Sequence, residues 1–267
     1  GEFAVRVQAE PAVDRRRHRR RSDRDFLTRA RGNGMTSSAA KFDAARAGEY
    51  EQQSRIALAG YDACHELSAC MLAASLGAGS SADILVVGAG GTAQEILVAG
   101  ALEPNWRFVA VDPSQSMLDL AVERVALRRF AHRVTPHLGY VDDLPRDARF
   151  DAATLIGVLH HLPGDEAKRA ILASIAARLK PGAPFILAGN HYEYASEPLL
   201  LKAWGERWRM NGASADEVKA KLGRILQGAD PPHGEEAVAA LLRDAGFTAP
   251  KRFFSSLFWG AWLTQKA

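Results

Sequence analysis

Hydrophobic and polar positions alternate along this chain in a way that predicts strands separated by helices. Residues 84–87 are four aliphatic residues in a row, and an apolar run without polar alternation indicates a strand buried on both faces of a parallel sheet. Stretches of helical periodicity separate most of the later apolar runs, which predicts right-handed crossovers. The expected strands of this core are 83–87, 107–111, 133–139, 151–156 and 184–189, with helices at 92–100, 114–129 and 165–179.

The chain outside this core has a different pattern. Two Ala-rich helices are expected before the first strand, and three helices interrupt the alternation after the fifth. Two segments rich in Phe and Trp, 251–255 and 256–264, predict an antiparallel pair. The sequence therefore predicts an α/β fold: a Rossmann-like, doubly wound, mostly parallel seven-stranded sheet with an antiparallel C-terminal hairpin and a helical cap. The five additional helices are expected at 41–58, 60–76, 195–210, 214–227 and 234–245.

Charge separates the amino-terminal segment from the rest of the chain. Residues 1–34 hold ten Lys/Arg and five Asp/Glu, a net charge of +5, which leaves −2 for the remainder of a chain whose total is +3. The arginine run at 15–21 repels itself and is typical of disorder. It is either a nucleic-acid-binding arm or a non-structural extension. Gly1-Glu2-Phe3 looks like a cloning remnant and Met35 like a native start, which favours the extension.

Length and composition fit one large soluble α/β domain. No apolar run approaches the ~20 residues that a membrane-spanning helix needs. Cys64 and Cys70 fit neither a metal-ligand spacing nor a disulfide framework, so a cytoplasmic location is expected.

A glycine turn follows the first strand and predicts a nucleotide site. Gly88 and Gly90 permit a tight turn and let a ligand lie against the backbone. The helix that follows directs its N-terminal amides to the same place. Asp112, at the end of the next strand, can accept hydrogen bonds from ribose hydroxyls, or it can cap the following helix.

Two nucleotide classes fit the turn. Residues 88–93 can be matched to the dinucleotide fingerprint G-x-G-x-x-G/A, which would indicate NAD, but that match is weak on its own. An acidic residue at the position of Asp112 suits S-adenosylmethionine equally well.

The motifs downstream distinguish the two classes. In order along the chain they are Asp143-Leu144-Pro145, Phe150-Asp151, Leu159-His160-His161-Leu162 and Leu179-Lys180-Pro181-Gly182. With the glycine turn and Asp112, these motifs resemble the class I S-adenosylmethionine-dependent methyltransferases, in particular their small-molecule branch, over about residues 41–265. The resemblance implies transfer of a methyl group to oxygen or nitrogen, with carbon as a further option, of a small-molecule metabolite. The implied cofactor is S-adenosyl-L-methionine.

The resemblance also implies a cofactor site. The glycine turn would support the methionine and ribose parts, Asp112 would hold the ribose diol, and Pro113 and Met117 would lie beside the adenine. The backbone N–H of Val141 would face the adenine edge, and the carbonyl of Ile156 would face the cofactor's amino group. The expected cofactor residues are Gly88, Ala89, Gly90, Asp112, Pro113, Met117, Tyr140, Val141, Asp142 and Ile156.

Three positions depart from the family pattern. Val86 stands where an acidic residue is common, and Thr92 replaces the third glycine. Tyr140 falls where an acidic residue faces the adenine. Tyr140 would then stack on the adenine, or Asp142 would take the polar role.

The segments beside the core are expected to cover the site. Residues 42–65 resemble a lead-in that forms a lid in one branch of these enzymes. Arg55 could hold a carboxylate, or it could be an ordinary surface arginine. Trp204 and Trp208 share a helix face and either line an aromatic pocket or pack the cap onto the core, and packing is favoured. The expected substrate or lid residues are Tyr50, Arg55, Tyr61, Tyr192, Trp204 and Trp208.

Methyl transfer needs alignment more than acid–base help, and a base is required only if the acceptor is protonated. His191 and His161 are the candidate catalytic residues because both follow strand ends, where ligands of open α/β sheets bind. A structural role is the more common one for His161. A zinc site at His160, His161 and His191 is not expected, since the spacing matches no metal motif.

The expected organisation is a disordered basic leader or tag at 1–40, a helical lid at 41–80, the cofactor-binding core at 81–194, a helical substrate cap at 195–247 and a hairpin at 248–267. The expected partner is a small molecule, without a membrane, and a homodimer is an open option. Nucleic acid is not expected because the body is slightly acidic. The alternatives are a tRNA-modifying enzyme, an NAD-linked enzyme and a cofactor-binding homologue without activity.

Overall fold

The computed structural model describes residues 48–267. Residues 50–267 form one compact unit, which carries the sheet and every described helix after the first. The predicted basic leader and the start of the predicted lid lie outside the described residues.

Seven strands form one sheet in the order β3-β2-β1-β4-β5-β7-β6. The first five strands are parallel, and β7 runs antiparallel to both of its neighbours. The predicted fold class is confirmed. The strands are β1 (Asp83–Val87), β2 (Arg107–Asp112), β3 (Val134–Leu138), β4 (Ala152–Ile156), β5 (Pro184–Asn190), β6 (Lys251–Ser256) and β7 (Trp259–Gln265).

The helices of the described residues lie close to their predicted positions. The largest shift at a core helix is at α3, which begins two residues later than predicted because Ala93 has a left-handed backbone (φ 50°) and still belongs to the glycine turn. The helices are α1 (48–57), α2 (Tyr61–Leu76), α3 (Gln94–Leu102), α4 (Gln115–Leu127), α5 (Gly164–Arg178), α6 (Pro198–Met210), α7 (Ala215–Gly228) and α8 (Glu235–Asp244). None of these helices is long and apolar enough to cross a bilayer.

Both faces of the sheet are covered, as the unbroken apolar run of β1 predicted. Ile84 and Val86 pack with α2, α3 and α4 on one face, while Leu85 and Val87 pack with α5 and α8 on the other. Burying one such aliphatic side chain contributes about 1.5–3 kcal/mol. The two layers fix the carboxyl ends of β1, β2, β4 and β5 along one edge of the sheet.

The three helices predicted as a cap pack in two different places. Helix α8 contributes Val238, Leu241 and Leu242 to the main core beside α5. Helices α6 and α7 instead pack against each other and against α1, through a separate cluster that includes Trp204 and Trp208. Only α6 and α7 are therefore joined to the amino-terminal helices.

Candidate functional site

The glycine turn between β1 and α3 is bonded to the elements that follow β2. The N–H groups of Gly88 and Ala89 donate to the carbonyl oxygen of Val111, at 2.9 and 3.2 Å. The N–H of Gly91 donates to the carbonyl oxygen of Met117 at 2.9 Å. These backbone bonds fix the turn over the carboxyl end of β2 without using a side chain.

The carboxylate of Asp112 lies inside this turn. Its Oδ2 accepts a hydrogen bond from the N–H of Gly90 at 2.9 Å, and its Oδ1 accepts one from the N–H of Ser114 at 2.8 Å. The residue is 8% exposed, and burial raises the pKa of its carboxyl group although both N–H groups act against the shift. Ser114, not Asp112, is the N-cap of α4. The capping alternative for Asp112 is therefore wrong, and its carboxylate orders the turn.

Gly90 must be glycine in this arrangement. A Cβ added there would lie 2.5 Å from Oδ2 of Asp112 and 2.5 Å from Cβ of Met117. Three of the predicted cofactor residues thus meet at one point, with Pro113 next to Asp112 on the surface. Ala89 is buried, so it can offer a ligand only its backbone.

The end of β4 closes the other side of the turn. The side chain of Val158 packs on Gly88, where an added Cβ would lie 2.2 Å from Cγ2 of Val158. Gly157 has a left-handed backbone (φ 76°) and donates its N–H to the carbonyl of Ala188 at 2.8 Å. The chain therefore leaves Ile156 in a bend that places residues 157–158 between the glycine turn and β5. The sequence had not indicated a role for Val158.

The predicted adenine loop follows β3. The side chain of Tyr140 is exposed, whereas Val141 is buried in the core. The N–H of Tyr140 donates to Oδ2 of Asp143 at 2.8 Å, which shapes the loop from within. Asp142 is exposed beside it.

A buried arginine of α5 holds this loop and was missed by the sequence analysis. The guanidinium of Arg178 donates to the carbonyl oxygens of Pro145 at 2.6 Å, Leu144 at 3.0 Å and Asp142 at 3.3 Å. An arginine in the last turn of a helix is usually assigned to the helix dipole, so its sequence position gave no signal of this role.

A second buried carboxyl group lies beside the turn. Glu95 is in the first turn of α3, and burial raises its pKa to about 7, with the negative charge of Asp112 adding to the shift. Its Oε2 is 3.9 Å from Nε2 of His65, whose pKa burial lowers to about 4. His65 is therefore neutral at pH 7, and its Nδ1, 2.8 Å from the carbonyl oxygen of Tyr61, carries the proton. The two side chains do not form an ion pair at that pH.

A small cavity of about 10 Å³ lies under the turn, between α2 and the sheet. His65, Glu95, Val86 and Thr154 are among its lining residues, and the Oγ1 of Thr154 has no hydrogen-bond partner. Val86 thus lines the same cavity as Glu95. At the position of Val86, the family that this chain resembles commonly has an acidic residue.

Residues of the predicted lid contact the turn directly. The ring of Tyr50 lies on Gly91, where an added Cβ would be 2.2 Å from Cε1 of the ring. The phenol oxygen of Tyr61 is 2.5 Å from Oγ1 of Thr92. Burial raises the pKa of Tyr50 to about 12 and that of Tyr61 further. Both predicted lid tyrosines therefore cover the glycine turn.

Arg55 is engaged by the lid itself. Its guanidinium pairs with Glu51 at 3.0 Å and Asp62 at 2.6 Å, and lies 4.7 Å from the centre of the Tyr61 ring. Glu51 is also bonded to Arg124 of α4. These pairs hold α1 against α2 and α4.

The candidate bases lie beyond β4 and β5. His191 is 0% exposed, and burial lowers its pKa although its bond to the backbone of Phe258 acts against the shift. Its Nδ1 is 3.0 Å from the carbonyl oxygen of Phe258, so Nδ1 carries the proton. The unprotonated Nε2 has no partner among residues 48–267. His161 is half-buried beside the ring of His160, and burial lowers its pKa as well. No group of three or more His, Cys, Asp or Glu in the described part of the chain could hold a metal.

The two predicted cap tryptophans pack α6 onto α1. The Nε1 of Trp204 donates to the carbonyl oxygen of Ala57 at 2.8 Å, and the ring of Trp208 lies 5.3 Å from that of Trp204. Both are buried with Tyr194 and Phe258 in one cluster. Packing, the favoured of the two predicted roles, describes them in this structure. Tyr192 lies against the ring of His191 at 4.1 Å.

A polar groove of about 310 Å³ lies at the opposite edge of the sheet, by the amino ends of β1 and β2. Its charges are already paired, Arg107 with Asp83 and Lys180 with Asp151. It lies away from every predicted site residue, so we assign it no part in the site.

Comparison with known proteins gives one family and a set of shared folds. Residues 85–185 match the family model described as a methyltransferase domain. No curated protein matches the chain in sequence.

Several solved structures share the fold. An O-methyltransferase family 2 protein from Planctomyces limnophilus DSM 3776, in complex with apigenin, matches with a TM-score of 0.57 and 15% identity, over 91% of this chain and 65% of that protein. Human N-acetylserotonin methyltransferase in complex with SAM matches with a TM-score of 0.56 and 16% identity, over 84% of this chain and 56% of that protein. The N,N-8-amino-8-demethyl-D-riboflavin dimethyltransferase from Streptomyces davawensis matches with a TM-score of 0.51 and 18% identity, over 78% of this chain and 57% of that protein. The chain thus spans less than two thirds of the length of each, and at these identities the likeness establishes the fold.

Proposed function

We propose that this chain, whose residues 85–185 match the methyltransferase-domain model, is a class I S-adenosylmethionine-dependent methyltransferase that transfers a methyl group to an oxygen or nitrogen of a small molecule. Carbon remains a further option for the acceptor atom. The observation that carries the proposal is the geometry of the glycine turn, where the carboxylate of Asp112 accepts hydrogen bonds from the N–H groups of Gly90 and Ser114 and a second carboxyl group, that of Glu95, lies in the first turn of the helix that follows.

The two carboxyl groups suit a positively charged cofactor. S-adenosylmethionine carries a sulfonium and an ammonium against one carboxylate, so its net charge is positive. The carboxylate of Asp112, and that of Glu95 where it is ionised, attract this charge. The order of the motifs downstream of the turn, and not its acidity, favours S-adenosylmethionine over NAD.

The remaining predicted cofactor residues fit this assignment. Bound S-adenosylmethionine supplies an electrophilic methyl group on a positively charged sulfur. Asp112 would accept the ribose hydroxyls, and the loop of Tyr140, Val141 and Asp142, fixed by Arg178, would face the adenine. The carbonyl of Ile156 would face the amino group. Tyr50 and Tyr61 would shield the turn from water.

The acceptor side would be served by His191 and His161. A base is needed when the acceptor is a protonated hydroxyl or ammonium, and it must be unprotonated to act. His191 meets that condition at Nε2, and its position directly after β5 is where ligands of such sheets lie. His161 follows β4 at the same edge. Substrate would reach His191 only after the surrounding segments move.

The proposed division of the chain follows the predicted one. Residues 41–80 would act as a lid, 81–194 as the cofactor-binding core and 248–267 as the hairpin of the core sheet. Within the predicted cap at 195–247, helices α6 and α7 would cover the substrate, while α8 packs in the core. The three solved structures named above are described with, or by, small-molecule ligands, which supports a small-molecule partner. Cys64 and Cys70 are free, which fits a reducing compartment such as the cytoplasm.

Isothermal calorimetry with S-adenosylmethionine and S-adenosylhomocysteine tests the proposal. We expect binding of both, with Asp112→Ala weakening each at least about tenfold because two backbone N–H groups and the ribose lose their acceptor. Asp119→Ala, on the exposed side of α4, is the matched control and should bind normally. NADH should not bind. Absence of binding at millimolar cofactor, or an unchanged affinity in Asp112→Ala, would remove the basis of the proposal.

A second measurement tests the acidic turn itself. S-adenosylhomocysteine lacks the sulfonium charge, so Glu95→Gln should reduce the preference for S-adenosylmethionine over S-adenosylhomocysteine, by about tenfold if the charge is worth one pK unit. Equal losses of affinity for both ligands would show that Glu95 acts on shape and not on charge.

A further inference from the structure

Two residues that each carry a buried, unpartnered polar atom are paired across the strands where β5 ends and β7 begins. Asn190 and Trp259 are cross-strand partners in the β5–β7 ladder, so their side chains project from the same face of the sheet. Within the described residues, the Oδ1 of Asn190 and the Nε1 of Trp259 have no hydrogen-bond partner. One is an acceptor and the other a donor.

Turning over the side-chain amide of Asn190 does not supply the missing hydrogen-bond partner. The Nδ2 of Asn190 donates to the hydroxyl of Tyr194 at 2.7 Å, which leaves Oδ1 unused. If the amide were turned over, Tyr194 would donate to Oδ1 and Nδ2 would be unused. In both orientations Asn190 keeps one polar atom for another group.

Unpartnered buried polar atoms are uncommon because each one loses its hydration without a replacement. Trp208 also has an unpartnered Nε1, but it lies on α6 beside Lys221, away from the sheet edge. At Asn190 and Trp259 a donor and an acceptor coincide on neighbouring strands. A ligand group able to accept from one and donate to the other would satisfy both at once.

The pair lies next to the proposed cofactor site. The ring of Trp259 packs with Ile156 and Ala188, and its Cη2 is 3.4 Å from the position of a Cβ on Gly157. Residues 157–158 are the same segment that packs on Gly88 of the glycine turn. The ring of Trp259 therefore lies beside the segment that borders the proposed cofactor site.

Aromatic rings surround the two atoms. The ring of His160 lies 5.4 Å from that of Trp259 in an edge-on contact, and Tyr61 belongs to the same apolar cluster. Tyr194 bounds the site beyond Asn190. Such surroundings favour a flat, aromatic ligand body.

We propose that Asn190 and Trp259 bind a hydroxyl group of an aromatic methyl acceptor, which donates to Oδ1 of Asn190 and accepts from Nε1–H of Trp259. The inference rests on the proposed function, and it names the acceptor class as a phenol. Asn190 and Trp259 are 5% and 9% exposed, and Leu58 and Tyr61 pack in the same apolar cluster as Trp259. The ligand therefore enters when the connection between α1 and α2 moves away from the sheet.

A matched pair of probes tests the hydroxyl. The full chain, labelled with ¹⁵N at its five tryptophan indoles, is saturated with S-adenosylhomocysteine and titrated with phenol or with anisole, which lacks the O–H donor. The indole signal of Trp259, assigned by triple-resonance spectroscopy, is expected to shift on addition of phenol. Anisole is expected to leave it in place or to need at least about tenfold higher concentration, since it leaves Asn190 unsatisfied.

Variants separate binding from folding. Trp259→Phe and Asn190→Leu are each expected to weaken phenol binding, measured by calorimetry, at least about tenfold. Trp259→Phe should not lower the melting temperature by more than its lost volume explains, because the deleted N–H had no partner among the described residues. The controls are Trp106→Phe and Asn105→Leu at the opposite edge of the sheet, whose polar groups bond to Ser80 and Gly79. If Trp259→Phe fails to fold, two measurements still test the inference: phenol against anisole on the wild-type chain, and phenol on Asn190→Leu.

Three results would overturn the inference: no shift of the Trp259 signal with phenol, equal shifts with phenol and anisole, or equal phenol binding by Asn190→Leu. Failure of the proposed function is a different result, since S-adenosylhomocysteine would then not bind the wild-type chain.

Discussion

The phenol oxygen of Tyr61 lies 2.5 Å from the hydroxyl oxygen of Thr92, so the start of α2 is hydrogen-bonded to the glycine turn. Thr92 stands where the resembling family has its third glycine, and its hydroxyl gives the lid a fixed partner there. Both residues are buried, so each hydroxyl depends on the other for its hydrogen bond. The threonine that replaces the third glycine is thus the hydrogen-bond partner of the predicted lid residue Tyr61.

This pair predicts a measurable coupling. Tyr61→Phe and Thr92→Ala are each expected to lower the free energy of unfolding by about 1–3 kcal/mol, because each leaves a buried hydroxyl without a partner. The double variant should cost less than the sum, with a coupling of about 1 kcal/mol. Urea unfolding of the four proteins measures it. Ser75→Ala, an exposed hydroxyl on α2, is the control, and additive losses in the cycle would contradict a direct bond.

The buried carboxyl group of Glu95 predicts a pH dependence of stability. Its folded pKa is about 7, against 4.5 for the free side chain, so the folded state binds more protons than the unfolded state between those values. The contribution of Glu95 to the free energy of unfolding is therefore highest below pH ~4.5 and falls as the pH rises towards ~7. Above that pH it stays at its lower value. Glu95→Gln does not titrate, so its stability relative to wild type should grow over that range by up to about 3 kcal/mol. Denaturant unfolding at several pH values measures the difference, with exposed Glu123→Gln as the flat control. A difference independent of pH would show that Glu95 ionises normally.

The guanidinium of Arg178 predicts that cofactor affinity depends on a residue that does not face the cofactor. Arg178→Met would leave the carbonyls of Leu144 and Pro145 without their donor and release the loop of Tyr140. We expect S-adenosylhomocysteine to bind about tenfold more weakly, with a smaller loss in Arg178→Lys, which retains the charge but cannot reach all three carbonyls. Arg149→Met, whose guanidinium bonds only to neighbouring exposed carbonyls, should bind normally. Calorimetry measures the affinity of the three variants for S-adenosylhomocysteine. Unchanged affinity in Arg178→Met would show that the loop keeps its conformation without the guanidinium.

The sequence predicted those parts of the site that depend on local pattern. A buried run before a glycine turn predicts β1, and Gly90, Asp112 and Met117, which the family resemblance assigned to one cofactor site, lie together in the structure. These features recur because backbone geometry requires them. The capping alternative for Asp112 failed because Ser114, two residues later, competes for the same position and is also a favoured cap.

The features that the sequence did not predict all depend on contacts between distant segments. Glu95 reads as an ordinary acid in the first turn of a helix, and only the packing of α2 beside it buries it and raises its pKa. Asn190 and Trp259 meet because β7 pairs with β5 in one particular register, which hydrophobic pattern alone does not set. Whether Trp204 packs or binds likewise depended on where α6 docks, and it docks on α1.

Two lysine–aspartate pairs of similar geometry are expected to contribute differently to the free energy of unfolding, because the ammonium group of Lys168 is buried and that of Lys180 is not. Lys168 is 1% exposed, and its Nζ donates to the carbonyl of Leu162 at 2.8 Å, to that of Gly164 at 3.2 Å and to Oδ2 of Asp230 at 2.9 Å. Asp230 in turn accepts from the N–H of Gly164, so the pair ties the segment between α7 and α8 to the turn after β4. Lys168→Met is expected to lower the free energy of unfolding by about 2–4 kcal/mol, because two carbonyls and a carboxylate lose their donor. Lys180→Met, which breaks a half-exposed pair with Asp151, should cost no more than about 1 kcal/mol. Urea denaturation of both variants measures the difference, and equal losses would mean that the burial of Lys168 adds nothing to its pair.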